Sequence, residues 1–197
     1  MTDDEMFRWI LLAGLVVVLP IAFYHRFKSH TGETLDRSQE GPVILITRIV
    51  LGLGGMLLLI AYLIDPSWLS WSSVPLPIWL RWVGVGLGVL TAALLIWTFR
   101  TLGPNLTDTV VTRRVHTLVT TGPYRWIRHP FYVSFLLGMI ANALLTANTI
   151  FFTSGVIAFT VLAIRTQSEE AKLIERFGDA YRAYMTRTGR FFPRWSR

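Results

Sequence analysis

Cysteine is absent from the 197 residues, which excludes disulfides, thiolate metal sites and a cysteine nucleophile. Charge is scarce, at 16% of the chain, and the 12 acidic residues are outnumbered by 19 basic ones. The four histidines, His25, His30, His116 and His129, contain no i, i+4 pair and sit beside no carboxylate cluster, so no metal is expected. A dinucleotide fingerprint is missing as well. "GLGG" (52–55) and "GVGLG" (84–88) lie inside apolar runs, without the strand and βαβ unit such a motif needs. There Gly84 and Gly88 read as a small-xxx-small pair that lets helices approach closely. No long repeat and no low-complexity segment is present.

What the chain has is apolar length. It is 52% hydrophobic with a mean hydropathy of +0.48, and several runs approach the ~20 residues needed to cross a bilayer. Five spans are expected, at about 6–24, 43–64, 78–98, 131–147 and 149–165, in an all-α polytopic membrane protein. The first follows an acidic start (Asp3, Asp4, Glu5) with no small-x-small cleavage site behind it, so it reads as an anchor rather than a signal peptide. The last two are short and joined by "TANT", as in a tight helical hairpin.

Basic residues alternate between the loops. Arg8 alone precedes the first span, and the 65–77 and 146–149 connections hold none. The 25–42 loop holds Arg26, Lys28 and Arg37, the 99–130 loop holds five arginines, and the tail from Arg165 holds eight basic residues. By the positive-inside rule the N-terminus is outside and the C-terminus cytoplasmic. The net charge of +7 is then a topology signal; nucleic acid is not an expected partner, because the basic residues flank spans rather than forming one stripe. The chain reads as one membrane domain, with three N-terminal spans in 1–98 and a polar-site half in 99–197. "DPSWLSWSSVPLP" (65–77) puts tryptophans at the outer interface. Beyond Arg165 a helix continues, with Glu170, Ile174, Phe177, Tyr181 and Tyr184 on one face, as a cytoplasmic extension of the fifth span.

The stretch "GPYRWIRHPFY" (122–132) stands directly before the fourth span. Gly122-Pro123 signals a turn. Pro130 fits the first helical position, which leaves His129 at or next to the cap. A helix N-terminus with Arg128 and His129 beside it can hold an anion; Arg, Tyr and Trp at headgroup level can equally be an interfacial anchor. Arg165 and Glu169 share a helix face at i, i+4 where the fifth span leaves the bilayer. They are either a surface ion pair or, brought beside His129 by the hairpin, part of a seat for a zwitterion. Asn142 reads as an interhelical hydrogen-bonding amide. Arg48 and Arg81, near span ends, read as snorkelling side chains without a role.

"HTLVTTGPYRWIRHPFY" (116–132), "EE" (169–170) and "FGDAYRAYMTR" (177–187) resemble the isoprenylcysteine carboxyl methyltransferase family and its wider group of membrane phospholipid and small-thiol methyltransferases. The resemblance runs from about Leu102 onward, and the first two spans carry no motif. It implies an S-adenosylmethionine-dependent methyltransferase without a Rossmann fold. By position it assigns the cofactor to His116, Thr117, Leu118, Val119, Tyr124, His129, Pro130, Phe131, Tyr132 and Glu169, and a further contact falls near Thr109. It gives Arg165 the acceptor. The implied partners are the lipid bilayer and an apolar or amphipathic methyl acceptor carrying a carboxylate, thiol or amine. For an amine, Glu170 or a tyrosine is the candidate base. Two rivals remain: a sterol-reductase-like membrane enzyme using NADPH, and a non-catalytic membrane scaffold.

Overall fold

The computed structural model describes residues 2–28, 42–103 and 117–194; His30, His116, Thr109 and the basic residues Arg37, Arg113 and Arg114 lie outside them. Each of the five apolar runs is a helix: α1 (Asp3–Lys28), α2 (Pro42–Ile64), α3 (Ile78–Leu102), α4 (Pro130–Thr146) and α5 (Thr149–Phe177). A sixth, α6 (Asp179–Arg187), follows, and 3-10 helices cover Pro66–Ser72 and Gly122–Arg125. The described residues contain no strand, only isolated bridges of Ser73 with Asn148 and Ile127 with Gly189.

The helix limits follow from local chemistry. Proline opens α2 and α4, where its missing N–H costs nothing. Asn148 caps α5 by accepting from the Ile150 amide at 3.2 Å. Gly178, at φ +54°, closes α5 and turns the chain into α6. Thus α5 runs unbroken 29 residues, past Arg165 and both glutamates.

Three helices are long and apolar enough to cross a membrane: Asp3–His25, Ile78–Leu102 and Thr149–Phe177. A fourth candidate is α2 with the 3-10 helix after it, bent by 115°. At 17 residues, α4 is shorter. Large apolar side chains cover the outer faces of α1, α2 and α3, including Val16, Leu57 and Val89, each more than 55% exposed. In an integral membrane protein such faces meet lipid rather than water.

At one end of the bundle Phe7, Leu11, Tyr62, Leu69, Ala143, Leu145 and Phe151 form a core from α1, α2, α4, α5 and the first 3-10 helix. Asn148 reinforces it: Ser72 Oγ donates to its side-chain oxygen at 2.7 Å, and its amide donates to Leu69 O at 2.9 Å. Arg81 belongs here too. It is 5% exposed and does not snorkel. Its Nε and a terminal nitrogen donate to Leu145 O, another nitrogen reaches Asp4 at 2.5 Å, and its guanidinium lies 4.3 Å over the Phe7 ring. Arg81 therefore ties α1 and α3 to the carbonyl end of α4.

The tightest helix contact is α3 on α4. A Cβ on Gly84 would lie 2.9 Å from Leu144 Cβ and 3.2 Å from Ala141 O. Gly88, expected to share that role, has nothing within 4 Å; the second small residue is Gly138 of α4, against Thr91. Gly84→Ala should therefore push α3 and α4 apart and cost about 1–3 kcal/mol, the range for overpacking a fitted contact. Gly88→Ala should cost nothing measurable. Thermal unfolding of both variants in one detergent checks the contrast.

Candidate functional site

The segment 117–129 descends from the far end of α3 to the start of α4. Thr117, Leu118 and Val119 are exposed or half-buried and irregular. Gly122 then turns the chain at φ +57°, and a Cβ there would fall 2.4 Å from Thr101 Oγ1 on α3. Only glycine satisfies both the positive φ and that approach.

The C-terminal segment straps this loop. Arg128 N–H donates to Gly189 O (2.8 Å), His129 N–H to Arg190 O (3.1 Å), and Gly189 N–H back to Trp126 O (3.2 Å). Tyr184 OH donates to Tyr124 O at 2.6 Å. Arg128 also donates to Thr188 O. The aromatic face of α6 read from the sequence is thus a packing face: Tyr181 and Tyr184 are 2% and 3% exposed.

Two charged clusters meet at His129. Glu169 is held by Tyr132, whose OH donates to it at 2.7 Å, and by Arg165 at 3.4 Å. Glu170 accepts from Arg128 Nε at 2.8 Å and from Arg190. The imidazole lies between them, Nδ1 3.6 Å from Glu169 and Nε2 3.3 Å from Glu170. It stacks on Tyr132 with centroids 5.4 Å apart and rings 4° from parallel. His129 makes no side-chain cap to α4; its two ring nitrogens face carboxylates, not an anion at the helix end. The Tyr132 and Val133 amides already bond His129 O, which further closes that end.

Of the residues singled out from sequence, His129, Tyr132, Glu169 and Arg165 stand together. Pro130 is fully buried at the first position of α4. Phe131 points outward, 38% exposed, its ring against Phe99. Burial, with Tyr184 and the Glu169 charge nearby, pushes the Tyr124 phenol far up. Burial likewise raises Tyr181 and takes Tyr184 to about 12. These phenols stay protonated near neutrality, as donors rather than bases. The Arg165–Glu169 pair is not on the surface: the side chains are 7% and 18% exposed. Sequence reasoning passed over Arg128 as a partner of Glu170 and missed Arg190 entirely, since both contacts are long-range; the one available signal was the second glutamate of "EE".

The charge balance fits a zwitterionic ligand. Glu169 keeps an accessible edge that suits an ammonium or a hydroxyl, the His129–Tyr132 stack offers an aromatic face to a cation, and three arginines against two glutamates leave a positive remainder for a carboxylate.

Residues 84–175 match the model of the isoprenylcysteine carboxyl methyltransferase (ICMT) family. The human protein-S-isoprenylcysteine O-methyltransferase is 32% identical over 139 residues, 64% of this chain and 48% of that protein. The methanethiol S-methyltransferase of a Pseudomonas species is 26% identical over 140 residues, 63% of this chain and 53% of that protein. A solved structure of the eukaryotic intramembrane Ras methyltransferase ICMT superposes with a TM-score of 0.51 at 22% identity, covering 81% of this chain and 54% of that one; this likeness concerns the fold. The chain spans about half the length of these relatives.

Proposed function

We propose, because residues 84–175 match the model of the isoprenylcysteine carboxyl methyltransferase family, that this chain is an integral-membrane S-adenosylmethionine-dependent methyltransferase. The observation that carries the reading is the cluster of His129, Tyr132, Arg165 and Glu169 where α4 begins beside α5. Glu169, Tyr132 and His129 would hold the cofactor, with Tyr124, Pro130, Phe131 and the 117–119 segment around it. The bound cofactor supplies a methyl group on a sulfonium, already activated toward displacement, so alignment by the protein can provide much of the rate.

The acceptor is then the open question, and the site's own groups bear on it. An amine acceptor must lose a proton to a base. Tyr124, Tyr181 and Tyr184 are raised phenols, and Glu170 is committed to Arg128 and Arg190. None is free to take one. A carboxylate arrives as its own nucleophile, a thiol reacts as the fraction that has already given its proton to water, and Arg165 would orient either anion. The relatives named as O- and S-methyltransferases fit the same choice. We therefore favour an apolar or amphipathic acceptor that presents an anion.

The experiment is thermal unfolding of the purified protein with S-adenosylhomocysteine or NADPH, followed by methyl transfer to carboxylate, thiol and amine acceptors. Stabilisation by the first and turnover with an anionic acceptor are expected; stabilisation by NADPH alone overturns the reading.

The same reading carries an orientation. All five helices α1–α5 cross, α4 being the shortest at about 25 Å by helix rise, and the cluster faces the cytoplasm with α6. A single cysteine introduced at Ser70 should be labelled by an impermeant thiol reagent from outside the cell, and one introduced at Ala183 should be labelled only after lysis. The reverse pattern inverts the topology.

A further inference from the structure

One groove borders the cluster described above and shares Arg128 and Arg190 with it. Its volume is about 500 Å³, and it opens between the end of α6 and the C-terminal segment. Arg128, Arg190 and Arg194 line it with Thr186, Thr188 and Phe192. Glu170, bonded to Arg128 and Arg190, balances one of the three guanidiniums, and no carboxylate is among the described residues that line the groove. Two positive charges therefore remain. The Nε of Arg190 is buried and has no hydrogen-bond partner among the described residues. Arg194 is exposed and uses one nitrogen on Met185 O and Thr186 O at 3.2 and 3.1 Å, which leaves the rest of its fork open. A guanidinium fork matches a phosphate bidentately.

Position gives the source of that phosphate. Phe191 packs on Phe159 of α5 at 5.6 Å and on His129 at 6.0 Å. Phe159 lies six residues before Arg165 in α5, about 9 Å deeper along the helix by its rise. The segment after Arg190 thus dips toward the apolar part of α5. The next ring, Phe192, is 76% exposed, and the arginines lie on either side of it in sequence. An exposed aromatic ring on the wall of a cationic groove, next to a segment packed on α5, suits acyl chains beside a headgroup phosphate.

We propose that this groove seats the headgroup of an anionic phospholipid, with Phe192 inserted beside its acyl chains. The proposal does not rest on methyl transfer. Because Arg128 and Arg190 serve both the groove and Glu170, a seated phosphate is also bonded, through them, to the cluster at His129.

The test uses the full chain in mild detergent. Thermal unfolding is followed against short-chain phosphatidylglycerol, short-chain phosphatidylcholine and inorganic phosphate. Phosphatidylglycerol should stabilise the protein at the lowest concentration. Arg194→Gln should raise the concentration required about fivefold, the share of one arginine at an anionic surface. Arg194→Lys should recover part of that loss, and Phe192→Ser should weaken the lipid response as well. Arg194 also holds the last turn of α6, so the readout is the shift produced by lipid and not the starting Tm. Equal stabilisation by phosphatidylcholine overturns the proposal. So does inorganic phosphate as effective as the lipid, which would make the groove a soluble-anion site. An unchanged lipid response in both Arg194→Gln and Phe192→Ser overturns it too.

Discussion

Glu170→Ala is expected to destabilise the folded protein by about 3–5 kcal/mol, the range for removing one partner of a buried charge pair. Glu170 is 3% exposed and is the meeting point of Arg128, His129 and Arg190. Its removal strands most of all Arg128, whose side chain is 9% exposed and meets water only along the groove wall. The carbonyls of Thr188 and Met185 still accept from Arg128, but they carry no neutralising charge. Arg190, 37% exposed in its side chain, can rehydrate and should add little. Loss of Glu170 also loosens the strap, because Arg128 and Arg190 lie in the two segments that pair through the Ile127–Gly189 bridge. Glu170→Gln keeps the shape and an acceptor oxygen and should cost less than half as much. Glu169→Ala should fall well below Glu170→Ala, since Glu169 retains an exposed edge and Arg165 is one turn away on the same helix. Thermal unfolding of the three variants in one detergent decides it. If Glu169→Ala proves the more damaging, Glu170 is not the structural centre of this half.

That contrast shows where sequence reasoning stops. The five apolar runs were legible because helix length and burial in lipid are set by local composition, and each is a helix in the structure. Pro130 was legible because a missing N–H acts within one turn; Gly178 was not, since the helical spacing runs straight through it, whereas its φ of +54° ends α5 and starts α6 as a separate helix. The division of labour inside "EE" was not legible. Adjacent residues on a helix point about 100° apart, and which one meets Arg128 and Arg190 depends on a strap more than 50 residues from the loop it covers. Arg81 failed for the same reason. Its place near a span end suggested snorkelling, whereas its partners, Leu145 O and Asp4, are 64 and 77 residues away. Gly84 and Gly88 share one motif, but only the first faces α4. Spacing identifies a helix face; packing decides which residues on that face are in contact.

Arg165→Lys should keep folding and cofactor affinity while the rate of methyl transfer falls on the order of a hundredfold, the penalty for misplacing a reactant by about 1 Å. The case against any special role was that a surface ion pair explains an arginine there. Burial weakens it: Arg165 is 6% exposed, and a long cation is kept out of water at a cost that a pair worth a few tenths of a kcal/mol does not offset. Glu169 lies 3.4 Å from one terminal nitrogen and is also held by Tyr132, so the pair fixes the direction of the guanidinium. A planar fork can hold a carboxylate acceptor by two parallel bonds, and an ammonium holds it by one, from a point that swings. If Arg165 serves the acceptor, lysine retains the charge and loses the alignment, so the defect appears in turnover. Glu169→Gln should do the reverse, weakening S-adenosylhomocysteine by roughly 1–3 kcal/mol, the range for losing a charged hydrogen-bond partner, with a smaller change in rate at saturating cofactor. If Arg165 only neutralises Glu169, lysine substitutes well and both variants show one shared, modest loss of cofactor affinity. Cofactor dissociation constants and single-turnover rates with one competent acceptor, measured side by side, separate the two cases. An unchanged rate in Arg165→Lys removes this residue from the acceptor's path and leaves it as the alignment partner of Glu169.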